Sequence, residues 1–204
     1  MLKRAFDFAV SLLALIVLGL PLCLVAVIIR LTSAGPVLFR QPRLGLQARP
    51  FTLMKFRTMT APRDADGNPV TDHASLTSAT DHERQTAIGR FLRRTSVDEL
   101  PELINVLRGD MSLVGPRPLL LRYWERYSPE QRRRNEVKPG ITGWAQVNGR
   151  NASSWKERFE LDVWYVDHRS FWLDLKIIAM TVGTILQQDG INQSNQTTME
   201  EFRG

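Results

Sequence analysis

Cysteine is nearly absent: the chain has one, Cys23, inside an apolar run. No disulfide framework can form within one chain, which suits a reducing compartment. Histidine is scarce too, and His73, His82 and His168 stand far apart without metal-ligand spacing, so there is no zinc site to read. Neither a Walker A nor a GxGxxG pattern occurs, which leaves P-loop and Rossmann-type nucleotide binding without support. There are no internal repeats. Acidic residues are in deficit, 21 Asp and Glu against 27 Lys and Arg, for a net charge of +6. That excess calls for an anionic partner: nucleic acid, a phosphorylated substrate or a membrane surface. A length of 204 residues allows one compact domain plus an appendage.

Charge is missing altogether from Phe8 to Ile29, "FAVSLLALIVLGLPLCLVAVII". At helical rise these roughly 22 residues reach about 33 Å, enough to cross a bilayer. The run is long for a signal peptide and no small-x-small cleavage site follows. Pro21, with Gly19 close by, predicts a sharp kink. Lys3 and Arg4 precede the run; Arg30, Arg40, Arg43 and Arg49 follow it. Positive flanks belong on the cytoplasmic side. A re-entrant helix that bends at Leu20–Pro21 and returns satisfies both flanks; a kinked span is the alternative. The expected organisation is a membrane anchor over 1–32 and a cytoplasmic-face domain over 33–204.

The remainder reads as α+β: a small mixed domain of short strands and amphipathic helices. Val37–Arg40 and Phe51–Arg57 are strands around a basic turn, and Met111–Val114 is a buried strand. Thr60–Gln85 is polar, with a turn signal at Asp66–Gly67–Asn68–Pro69. Ile88–Arg94 is a short basic helix or turn. Ser128 and Pro129 start another helix as cap and first residue. Trp155–Val166 and Phe171–Leu186, the latter capped by Ser170, are apolar-striped helices. They are either core or interfacial, and five tryptophans favour partial interfacial contact. The polar tail from Gln187 should wrap the surface.

The stretch "RRTSVDELPELINVLRGDMSLVGPRP", Arg93–Pro118, carries the chemistry. A structural reading of Asp98 and Glu99 is available: Ser96 and Glu99 fit a capping box for a helix over Asp98–Arg108. The context adds a second reading. Arg93 and Arg94 precede the acidic pair. Arg117 is clamped between Pro116 and Pro118, which suits a fixed guanidinium for bidentate phosphate binding. Lys55, Arg57 and Arg150 add positive charge. Carboxylates among cations stay ionised. An aspartate so placed can attack phosphorus to give an acyl phosphate, and carboxylates beside phosphates hold Mg²⁺. A salt-bridge network would use similar residues.

"KRAFDF", "GPVLFRQPRLG", "KFRTM", "LRRTSVDELPELINVLRGDMSLVGPRPLL", "VKPGITGWAQVNGRN" and "DLKI" in this order resemble the bacterial sugar transferase family, especially its small PglC-like monotopic phosphoglycosyl transferases. The resemblance covers nearly the whole chain. Ala48 departs from the glycine expected in the basic turn, and Leu20–Pro21 from a common serine–proline pair. The resemblance implies transfer of a sugar phosphate from a UDP-sugar to a polyprenol phosphate, with release of UMP. It implies Asp98 as nucleophile through a covalent phosphosugar intermediate, with Glu99 as Mg²⁺ ligand or proton acceptor. Direct attack by the lipid phosphate, with Asp98 only positioning Mg²⁺, is the alternative. Arg117 would hold phosphate; Gln146, Asn148 and Arg150 would face the nucleotide; Lys55 and Arg93 would assist. The implied setting is the cytoplasmic face of a bacterial inner membrane, with a homodimer and downstream glycosyltransferases as further partners. The tail resembles members that transfer acetamido sugars, ahead of glucose or galactose.

A rival class is a membrane-tethered basic adaptor or nucleic-acid binder, whose best patch is Arg132–Arg134. Such a run is usually a solvated helix face. The rival has no need of adjacent carboxylates in a basic site, so nucleic acid is not expected as a partner.

Overall fold

The computed structural model describes residues 2–60, 84–148, 154–187 and 201–204. The apolar run forms helix α1, Leu2–Thr32, which at 1.5 Å per residue is about 46 Å long. Pro21 lies inside α1 and does not divide it into two helices. Leu13, Ile16, Val17, Leu20, Leu24 and Leu31 are exposed, Leu20 at 83%. The other face is held by the domain at both ends. Near the N-terminus Phe6, Ala14 and Leu15 pack on the main core; near the C-terminus Leu22, Val25, Ala26 and buried Ile29 pack with Phe56 and Leu92.

Lys3 and Arg4, read from sequence as a topology signal, also act as tethers. Lys3 Nζ donates to Asp174 Oδ2 at 2.6 Å and to Val114 O at 3.2 Å. Arg4 donates to the Val106 and Leu107 carbonyls. Buried Asp7 accepts from Ser112 Oγ at 2.8 Å.

Strands β1, Leu38–Leu44, and β2, Pro50–Phe56, pair antiparallel with Leu38 opposite Phe56. The turn between them places Gln47 (φ 52°) and Ala48 (φ 58°) in the left-handed region. That is why glycine is the expected residue at 48. Helix α2, Ala87–Arg94, is capped by Thr86.

The capping-box reading of Ser96 does not hold. Ser96 is left-handed (φ 56°) and its side chain caps nothing; Val97–Glu99 is a single 3₁₀ turn. Helix α3 starts beyond Pro101, at Glu102, and runs to Arg108, with Gly109 as its left-handed stop (φ 89°). The Glu99 side chain turns towards cations, as described below, and not back to the Ser96 amide.

Strand β3, Ser112–Val114, pairs parallel with β4, Gly140–Thr142. The chains touch closely where they leave the pair. A Cβ on Gly115 would lie 2.3 Å from Lys138 O, and one on Gly140 would lie 2.1 Å from Gly115 N. Only glycine fits both positions.

Leu121–Arg126 is 3₁₀; α4, Pro129–Arg132, carries the predicted serine cap and first-position proline. Helix α5, Trp144–Asn148, follows β4 directly. Helices α6, Trp155–His168, and α7, Phe171–Gln187, complete the described fold, and Ser170 Oγ accepts from Leu173 N. Both helices contribute core residues, such as Phe159, Tyr165 and Ile177. α7 leaves Trp172 78% exposed, with Val182 and Ile185 also outward. The α+β class read from sequence is the observed one.

Most of the Thr60–Gln85 segment and of the polar tail lies outside the described residues. The chain end is not merely surface: Phe202 is 5% exposed in an aromatic cluster with Tyr123, Tyr127, Trp155 and Phe159.

Candidate active site

The 3₁₀ turn, β2 and the Gly115–Pro118 segment converge on one charged cluster. β2 delivers Lys55, whose Nζ lies 2.5 Å from Glu99 Oε1 and 3.1 Å from Glu102 Oε1. Arg117 donates from Nη2 to Glu99 Oε1 at 2.6 Å and from Nη1 to Glu99 Oε2 at 3.4 Å. Pro116 and Pro118 are buried beside Arg117. Its carbonyl accepts from Arg134 Nη2 at 2.7 Å, and Arg134 is itself paired with Asp162 at 2.7 Å, both buried. The arginine is therefore held from both sides of its peptide and at its tip.

Asp98 is 7% exposed, and its carboxylate accepts no hydrogen bond among the described residues. Burial pushes its pKa up to about 6, and Glu99 adds to the rise; Lys55, Arg93 and Arg117 oppose it. At neutral pH Asp98 is still mainly ionised, as expected from sequence, but with a narrow margin. A raised pKa also marks a more basic and more nucleophilic oxygen. Burial pushes Glu99 in the same direction, but Arg117 and Lys55 outweigh it and hold Glu99 well below the usual carboxylate range. Two adjacent carboxylates are thus driven apart, a pattern that separates catalytic roles.

Lys55, Arg93, Asp98, Glu99 and Arg117, all read from sequence, come together. Arg93 sits exposed at the end of α2 and acts on Asp98 through its charge. Gln146 and Asn148 stand on α5 and bond its own neighbourhood: Gln146 Nε2 donates to Ile141 O and Asn148 Nδ2 to Trp144 O, each at 2.9 Å. Neither bonds to the Asp98 cluster. Gln146 Oε1 is buried without a partner among the described residues and lies 3.0 Å from where a Gly143 Cβ would stand. Arg150 lies outside the described residues.

Two participants were missed. Glu102 is 2% exposed, and burial pushes its pKa up to about 7. The three-residue spacing from Glu99 was its only sequence signal. Arg43 donates to Gln41 Oε1 at 2.6 Å and to Pro118 O at 3.4 Å, while its Nε is buried and unpartnered. Burial, and then Arg117, lower its pKa to about 10. Among the described residues Arg43 makes no ion pair, and a buried arginine in the field of a second arginine favours an incoming anion.

The donor set fits Mg²⁺, which usually takes one or two carboxylates beside substrate phosphates. Asp98 and Glu99 supply two, and among the described residues no donor competes for Asp98. No group of three or more His, Cys, Asp or Glu able to hold a metal occurs among the described residues, which a metal shared with substrate phosphates does not need.

The basic patch of the rival reading is not free. Arg134 is buried on Asp162, and Arg133 meets Glu130, Glu136 and Asp167.

A charged cluster of this kind, on a domain gripped by an apolar helix, has the groups that a phosphoryl-transfer site needs. The bacterial sugar transferase model matches residues 1–188. The chain is 52% identical over 203 residues to the uncharacterized sugar transferase EpsL of Bacillus subtilis, covering 100% of this chain and 96% of that protein. It is 42% identical to a UDP-glucose:undecaprenyl-phosphate glucose-1-phosphate transferase of Caulobacter vibrioides, covering 92% of this chain and 70% of the relative. A protein of the same name in Escherichia coli is 41% identical, and there the match spans 89% of this chain but 39% of the relative. The chain belongs to the bacterial sugar transferase family, and it is an enzyme of the sugar-phosphate transferase type.

Proposed function

We propose that this enzyme moves a sugar 1-phosphate from a UDP-sugar to undecaprenyl phosphate, releasing UMP and forming the lipid-linked diphosphosugar. The observation that carries the reading is Asp98: a buried carboxylate that accepts no hydrogen bond among the described residues and lies in the field of Lys55, Arg93 and Arg117. The names of the E. coli and Caulobacter relatives support the reaction class.

An oxygen of Asp98 attacks the sugar-bearing phosphorus, and the bond to the UMP oxygen breaks. The product is an aspartyl phosphosugar. An oxygen of the lipid phosphate then attacks the same phosphorus and frees the Asp98 carboxylate. Arg117 and Lys55, released in part from Glu99, hold the phosphate oxygens as charge builds on them. Arg43 stands behind Arg117 and favours the diphosphate. Bound at Asp98 and Glu99, Mg²⁺ would supply charge neutralisation for the transferring phosphate.

Helix α1 is read as a re-entrant anchor. Both its ends pack on the one domain, while its apolar face, Leu20 foremost, points outward. With basic residues at both ends, the domain sits at the cytoplasmic face. Trp172, Val182 and Ile185 of α7 touch the interface.

The test is UMP release by the purified enzyme with undecaprenyl phosphate and a panel of UDP-sugars. Glucose and galactose are included because relatives carry those names, and acetamido sugars because the tail resembles their transferases. No UMP from any member of the panel would overturn the proposal.

A further inference from the structure

Where α1 ends, Arg40 and Arg57 line one cavity and Arg30 stands beside it on Gly35 O, and among the described residues none of the three pairs with a carboxylate. The cavity is about 650 Å³ and is lined by Pro36, Val37, Leu38, Phe39, Arg40 and Arg57. Arg57 Nη2 donates to Ser33 O at 2.8 Å and to Ser33 Oγ at 2.7 Å. Its Nε and Nη1 are shielded from water and have no hydrogen-bond partner among the described residues. Arg30, in the last turn of α1, donates to Gly35 O at 3.2 Å. Among the described residues no ion pair involves Arg30, Arg40 or Arg57. Burial, and then Arg30, lower the Arg57 pKa, the reverse of what a carboxylate partner would do. Gly35 covers the guanidinium: its φ is +117°, and a Cβ there would lie 2.3 Å from Arg57 Nη1.

The lining joins this charge to apolar surface. Phe39 is 44% exposed, and Leu31, at the end of α1, is 81% exposed. Unpartnered guanidinium donors beside exposed apolar side chains, where a membrane helix ends, match a phosphate carried on a hydrocarbon chain. We propose that this cavity binds a lipid-borne phosphate. The phosphate sits between Arg57, Arg30 and Arg40, the Gly35 segment moves off the guanidinium, and the chain runs along Phe39 and Leu31. Arg57 is two residues beyond Lys55, about 7 Å along an extended chain. The site is therefore a neighbour of the Asp98 centre and not part of it. A membrane phospholipid headgroup and a polyprenyl phosphate share this chemistry. The inference rests on α1 lying in the membrane.

Native mass spectrometry of the full chain released from detergent micelles tests it without any turnover, so failure of the transferase reading would be seen separately. The probes are phosphatidylglycerol, undecaprenyl phosphate, and the phosphate-free undecaprenol and diacylglycerol. The wild type should retain a phosphate lipid and not its phosphate-free counterpart. Arg57→Gln should lower that retention roughly tenfold or more, and Arg169→Gln, an equal charge change at an exposed position, should not. Retention of phosphatidylglycerol assigns the site to bulk lipid, and retention of undecaprenyl phosphate assigns it to the acceptor; either supports the proposal. If Arg57→Gln fails to fold, Arg30→Gln and Arg40→Gln, both exposed, should show the loss. Equal retention by wild type and these variants, equal loss in Arg169→Gln, or no retention by wild type would overturn it.

Discussion

The Arg117 guanidinium grips Glu99 with both terminal nitrogens, at 2.6 Å to Oε1 and 3.4 Å to Oε2. The fork that would take a substrate phosphate is thus loaded on a carboxylate of the site itself. On the proposed mechanism phosphate and Glu99 would compete for one guanidinium, and a lysine ammonium has no fork to share. Arg117→Lys should therefore lower turnover roughly a hundredfold although charge is kept. UMP-release kinetics check it, and near-normal activity would make Arg117 structural.

Asp98 links activity and stability to pH with opposite signs. Its folded pKa of about 6 lies above the ordinary 3.8. Between those values the folded protein binds more protons than the unfolded chain. Stability from this group is thus lost as pH rises through the window and regained as it falls. On the proposed mechanism activity needs the carboxylate, so kcat/KM should fall about tenfold per pH unit below pH about 6. Asp98→Asn should be inactive, yet at pH 7.5 it should melt at or above the wild-type temperature. Glu99 acts the other way. Its pKa is depressed below the ordinary 4.5, so its contribution is present above that value and is lost on strong acidification. Thermal melts of Asp98→Asn and Glu99→Gln across pH separate the two.

Asp162 and Arg134 form a buried pair that also carries the Arg117 carbonyl. Asp162→Asn leaves a buried guanidinium without its counter-charge, which typically costs about 3–5 kcal/mol. Denaturant unfolding measures it. A change below about 1 kcal/mol would show that the pair is not needed to hold the segment around Arg117.

Phe202 fills the aromatic cluster against Phe159 at 5.1 Å and Trp155 at 5.5 Å between ring centroids. Phe202→Ala should cost about 3–5 kcal/mol, as for other buried phenylalanines. A thermal melt unchanged from wild type would contradict that docking.

Much of this fold was legible from local signals. Ser128 and Ser170 head helices, as their cap signals indicate, and the runs around the basic turn, Val37–Arg40 and Phe51–Arg57, became the hairpin. At Ser96 the local signal misled. Serine three residues before glutamate fits a cap, but Pro101 defers the helix and distant Lys55 and Arg117 claim the Glu99 carboxylate. Ion pairs across 44 and 18 residues leave no periodic trace. For the same reason Glu102, Arg43 and the docking of Phe202 appear only once the chain is folded. The tethering of Asp7 to Ser112, 105 residues apart, is of this kind too.

The central claim is that Asp98 takes the phosphosugar before the lipid enters. Wild-type protein incubated with a UDP-sugar and Mg²⁺, without undecaprenyl phosphate, is measured by intact mass and then by peptide mapping. The account predicts stoichiometric UMP release and one added phosphosugar, mapped to Asp98 and absent from Asp98→Asn. No UMP until undecaprenyl phosphate is added, or an adduct on another residue, would contradict it.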